Sequence, residues 1–207
     1  MDRVAIKEEA KKIIRGNKWN FWKASIVLGL ISFGIGFVIG LILTIAGCSQ
    51  EMVSGVGSGV ASLILLPTTV GLYAYILKMA RGEEFSLNDL KAYYPFYLKI
   101  LLIDILVAVL VALASILLII PGIILSIAYT MVYFCFVDNT ELTAKDTLTK
   151  SRTMMKGFKL DYFIFNLSFI GWLILVPFTL GILAIWLAPY MSVAQALYYD
   201  KLSKKNN

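Results

Sequence analysis

The chain has 207 residues, of which 59% are hydrophobic and 15% charged, with a net charge of +6 and a mean hydropathy of +0.82. Soluble domains carry about 25% charged residues, so this composition excludes an ordinary water-soluble protein and points to an all-α, polytopic membrane protein. Histidine is absent and the only cysteines are Cys48 and Cys135, which removes the commonest general base and metal ligand and implies neither a metal nor a cofactor.

In chain order, residues 1–18 read as an amphipathic helix. Ile6, Ala10 and Ile13 share a face, Glu8 and Lys12 form an i,i+4 pair, and Gly16-Asn17 is the expected stop. Trp19, Phe21 and Trp22 with Lys18 and Lys23 then mark a headgroup boundary. Six transmembrane helices are expected at 20–46, 52–80, 97–120, 121–137, 160–180 and 182–199, paired as three hairpins within a single domain, 1–207. Gly36/Gly40 in the first span and Gly55/Gly59 in the second are GxxxG pairs, which in lipid let helices approach closely. The GVGSGV run there lacks both dinucleotide and Walker spacing and is no nucleotide loop. Ile45-Ala46-Gly47-Cys48 resembles a lipoprotein cleavage site, but the apolar stretch before it exceeds a signal core of about 7–15 residues.

Residues 81–99 form a polar stretch in which Ser86 and Asp89 have capping-box spacing and Pro95 is the expected helix stop. Pro121-Gly122 is the expected turn between spans three and four, with Pro121 suited to a first helical position. The longest polar run, 138–159, must leave the hydrocarbon. Thr143 is its N-cap with Asp146 three residues on, and Ala144, Leu148, Ser151 and Met155 fall on one face. Lys145, Thr149, Arg152 and Lys156 fall on another, and Gly157 ends the helix. This is the pattern of a basic helix on a membrane surface, with Lys145, Arg152 and Lys156 meeting lipid headgroups. A basic amphipathic segment, a breaker (Gly16, Pro95, Gly157), aromatics with lysine and a hairpin recur three times. An internal repeat and a shared need for interfacial anchors both account for that.

All 19 basic residues fall on one side of this topology, and the opposite loops carry only Glu51. Both termini and the amphipathic helices are therefore expected in the cytoplasm, against the anionic inner leaflet. The basic residues lie in short interfacial patches rather than a basic domain, so no nucleic-acid partner is expected. The expected partners are anionic membrane lipids, with a second copy or another membrane protein left open. Asp104, Asn166 and Gln195 lie at similar depth within spans, Asp104 about 7.5 Å beyond Lys99 along a helix, and are candidates for a polar cavity. No serine in a span has a histidine or buried lysine beside it, and Asp104 is the one deep carboxylate, so catalysis is not expected. The function expected is a non-enzymatic one, moving or sensing a small amphipathic molecule such as a lipid or peptide. The alternatives are an accessory, protective or scaffold role through a partner or the bilayer, and, less favoured, a membrane enzyme.

IPGII at 120–124, Ala128-Tyr129, Asp138-Asn139, SRTMMKGFK at 151–159, LSFIGW at 167–172, TLGI at 179–182, Pro189-Tyr190 and Tyr198-Tyr199 together resemble the bacterial integral-membrane family known as domain of unknown function 975. Val132 stands where that pattern has a proline. The resemblance implies six spans and a plasma-membrane location, and no activity.

Overall fold

A computed structural model describes residues 1–206, and among these the regular structure is helix throughout. The first helix, α1, runs from Arg3 to Ile45, 43 residues, capped by Asp2, whose side chain accepts from the Val4 and Ala5 amides at 3.1 and 3.0 Å. It passes through Gly16-Asn17 without a break. Asn17 donates to the Ile13 carbonyl at 3.3 Å, so its amide bonds along the helix instead of competing with it. One glycine costs a helix only about 1 kcal/mol, which the flanking apolar residues outweigh.

Gly47, at φ +77°, turns the chain into α2, Gln50–Arg81, capped at its start by Ser49 and closed by Gly82 at φ +72°. The next polar stretch is not the α-helix that its spacing predicts. It forms two tight 3-10 turns, Leu87–Lys91 and Tyr94–Phe96, with Asp89 reaching back to accept from the Ser86 amide at 2.8 Å. Then follow α3, Tyr97–Leu117, and α4, Ile119–Tyr129. The turn between them lies at Leu118, in extended conformation (φ −161°, ψ 142°), three residues before the expected position. Pro121 falls in the first turn of α4, where a missing amide costs nothing.

Span four is interrupted at Thr130-Met131 before α5, Val132–Asp138. The interruption is there without a proline at 132. Helix α6 is Ala144–Met154, and the stretch expected as span five is split at Ser168-Phe169 into α7, Lys159–Leu167, and α8, Ile170–Phe178. Helix α9, Ala184–Asn206, closes the described chain.

Among the described residues, five helical stretches are long and apolar enough to cross a membrane: Arg3–Ile45, Gln50–Arg81, Leu87–Ile116, Ile119–Asp138 and Lys159–Phe178. The sixth expected span, 182–199, lies in α9, which is not one of them. The start of α9 meets α1 at Trp22, whose indole Nε1 donates to the Ile185 carbonyl at 3.0 Å.

Buried side chains concentrate toward the basic end of the bundle. Ile6, Ala10 and Ile14 of α1 pack with Tyr75 and Met79 of α2, Met155 after α6, Phe165 of α7 and Tyr198 and Tyr199 of α9. A second cluster joins Leu66 and Val70 to Ile100, Ile103, Phe136 and Leu148. None of the most apolar window of α1 is buried. The glycine pairs do not mediate close packing either. A methyl group at Gly36, Gly55 or Gly59 would meet nothing within 4 Å, and at Gly40 only Val53 Cγ1, at 3.8 Å. Gly55 and Gly59 are exposed, and Gly36 and Gly40 are half-buried. The close approaches are elsewhere: an added Cβ at Gly71 would lie 2.6 Å from the Asp89 carbonyl oxygen and Leu90 Cα, and one at Gly122 3.0 Å from Ser115 Cα.

Candidate functional site

Helix α6 forms for the local reasons legible in its sequence. The Thr143 hydroxyl accepts from the Asp146 amide at 3.2 Å and donates to the Asp146 carboxylate at 2.6 Å. Gly157 adopts φ +82° just past the end. Ala144, Leu148, Ser151 and Met155 are all buried, joined by Thr147 and Met154. Ser151 Oγ, fully buried, donates to the Ala128 carbonyl at 2.8 Å. Ala128 stands in the last turn of α4, where carbonyls lack helical partners, so α6 caps the interruption of span four.

The opposite face of α6, with Lys145, Thr149, Arg152 and Lys156, is exposed. It lines a groove of about 750 Å³ whose other wall is Leu106 and Leu110 of α3 and Tyr129 of α4, with Lys159 at one end. Among the described residues no carboxylate lies within ion-pair distance of Lys145, Arg152, Lys156 or Lys159. The groove is thus cationic on one side and apolar on the other. Lys159 and the α3 wall are additions that sequence spacing did not supply, because leucines at 106 and 110 read only as span.

The three residues expected to share a polar cavity do not. Asp104 Oδ1 accepts from Tyr133 Oη at 2.6 Å and faces a cavity of about 420 Å³ lined by Gly59, Ser62, Leu66 and Thr69. Asn166 donates to the Tyr162 carbonyl at 2.9 Å, and Gln195 approaches Asn166 Oδ1 at 3.5 Å. Asn166 and Gln195 tie α7 to α9, while Asp104 ties α3 to α5. Equal depth along separate spans fixes level, not neighbourhood.

A charged cluster at the basic end went unseen in the sequence. Arg81 donates to both oxygens of Asp138 at 2.7 and 3.0 Å and to Asp200 at 2.8 Å, and Tyr199 donates to Asp138 at 2.7 Å. Lys204 completes it on Asp200 at 2.6 Å. Burial alone would raise the Asp200 carboxyl, but hydrogen bonds from Lys204 and Arg81 outweigh it and hold the group below the ordinary aspartate range. The cluster locks the ends of α2, α5 and α9 together. Tyr198 similarly donates to Asp161 at 2.9 Å. The short motifs Asp138-Asn139, Tyr198-Tyr199, Ala128-Tyr129 and SRTMMKGFK therefore include the groups that join these helices.

No curated protein and no solved structure matches the chain. The model of a family described as a protein of unknown function (DUF975) matches residues 109–206, which span α6, the interruption it caps and the Asp138–Tyr199 contact. The match covers a little under half of the chain and is to the family that its motifs resemble.

Proposed function

We propose that this is a multi-pass bacterial plasma-membrane protein, with both termini in the cytoplasm, that senses or moves a small amphipathic molecule at the inner leaflet without catalysing a reaction. The position of α6 carries this reading. One face of it is cationic and open; the other holds, through Ser151, the carbonyl of Ala128 at the interruption of a long apolar stretch. Just past that interruption, in the first turn of α5, Tyr133 holds the half-buried Asp104 at 2.6 Å. A ligand that displaces α6 thus acts on the interruption and, beyond it, on an intramembrane carboxylate. Interrupted helices lining cavities are the movable parts of membrane proteins, and a ligand shifts such an equilibrium by its differential contact with the two states.

The non-enzymatic part is supported by the span serines, which are engaged with their own helices. Ser32, Ser62 and Ser115 donate to the carbonyls of Leu28, Ser58 and Val111, each at 2.8 Å. The uncovered apolar half of α1 favours a second reading, an accessory role through a protein partner or a second copy. A stoichiometric partner co-purifying through α1 would favour it.

Hydrogen exchange on the full chain in lipid nanodiscs tests the coupling. Ser151→Ala is expected to speed exchange in α6 and equally across residues 127–134. Faster exchange confined to α6, with 127–134 unchanged, would refute the proposed link.

A further inference from the structure

We infer that the groove between α6 and α3 binds one anionic phospholipid, its phosphate on the α6 cations and its acyl chain along Leu106 and Leu110. This deepens the reading of α6 as the contacting element by naming the class of molecule it contacts. Lys145, Arg152, Lys156 and Lys159 converge on the groove with no carboxylate in reach among the described residues. Lys78, Arg81 and Lys201, by contrast, stand on carboxylates: Asp89, Asp138 with Asp200, and Glu9. Four uncompensated cations beside one another repel unless an anion joins them.

The facing wall decides the kind of anion. Lys99, near the start of α3, donates to the Thr140 carbonyl at 2.6 Å. Leu106 and Leu110 lie roughly 10 and 16 Å further along that helix. The groove therefore runs from charge into the apolar body of the bundle, as a lipid does from headgroup to chain, and a free phosphate would leave that wall unused. The volume, about 750 Å³, accommodates a headgroup with the first part of a chain.

The test is native mass spectrometry of the detergent-purified full chain titrated with phosphatidylglycerol, phosphatidylcholine or glycerol 3-phosphate. One phosphatidylglycerol should be retained with about tenfold preference over phosphatidylcholine. The double variant Arg152→Gln/Lys156→Gln should lose that preference. Lys12→Gln/Lys23→Gln removes the same charge from exposed sites on α1 and should keep it. Leu110→Trp, which fills the groove and leaves the cations in place, should also weaken retention. Equal retention of the two lipids, or equal loss in both double variants, would overturn the proposal. Displacement by glycerol 3-phosphate as effectively as by the lipid would assign a free-phosphate site and overturn it too. Such a failure beside an intact Ser151→Ala exchange response removes the ligand and leaves the coupling standing.

Discussion

At the scale of single residues, the consequential glycines are set by backbone approach and not by motif. Gly71 touches the chain at Asp89 and Leu90, neither of which can retreat without unwinding the 3-10 turn. Gly71→Ala is expected to lower stability by about 2 kcal/mol, the scale of overpacking a filled site. Gly36→Ala, in open space, should be neutral or stabilising by up to about 1 kcal/mol through helix propensity. Melting curves in detergent distinguish the two, and equal losses would mean that the Gly36 face is also packed. Asp104 is a second case. Asp104→Asn keeps an acceptor for Tyr133 and removes a charge that is expensive in lipid, so the variant should fold and melt no lower than the parent. Tyr133→Phe leaves the carboxylate without its donor and should cost about 1–3 kcal/mol. A strongly destabilised Asp104→Asn variant would show that the charge itself holds α3 and α5 together.

At the scale of elements, the ends of α2, α5 and α9 depend on Arg81. Its side chain is 24% exposed and those of Asp138 and Asp200 are 19% and 10% exposed, so the cluster is only partly screened by water. Arg81→Leu should cost about 3 kcal/mol, because it leaves Asp138 with no cation and Asp200 with Lys204 alone; adding Asp138→Asn and Asp200→Asn should restore part of that. No recovery would mean that the loss comes from packing. The pH dependence has a definite sign. The Asp200 carboxyl is lowered in the folded chain, so its stabilising contribution is fully present above the unfolded value of about 3.9. It fades as pH falls through the lower folded value. A melting temperature that falls on acidification below pH 4, and falls less in Asp200→Asn, is the expected result. Helix α6 was legible residue by residue, since its cap at Thr143, its faces and its stop at Gly157 all lie within one stretch of sequence. The Arg81 cluster was not, because its partners stand 57 and 119 residues away. Nor was the interruption at Thr130-Met131, which has no proline and is held from outside by Ser151.

At the scale of the whole molecule, composition and hydropathy made legible an all-helical chain with helices long and apolar enough to cross a membrane, while their number was not. Periodicity does not tell whether α9 crosses or lies against the basic half of α1, where Lys18 stands over the Trp186 ring at 3.1 Å. Cysteine labelling tests the orientation. Cys48 is half-buried and Cys135 fully buried, so Cys135 stays silent on either side and an exposed reporter such as Lys12→Cys is needed. With an impermeant maleimide on intact cells, Cys48 should label and Lys12→Cys, in a Cys48→Ser background, should not; the reverse pattern would invert the topology. The unbroken α1 has one more consequence. A helix of 43 residues is a rod of about 64 Å, roughly twice the hydrocarbon thickness of about 30 Å. A rod with an uncovered apolar half and its other half built into a packed core is a lever. Transmembrane helices stand about 20° from the bilayer normal on average, and over an arm of about 30 Å an angle of that size carries the far end about 10 Å sideways. A change of angle at the apolar half of α1 is thereby carried, as geometry alone, to the packed residues at its other end.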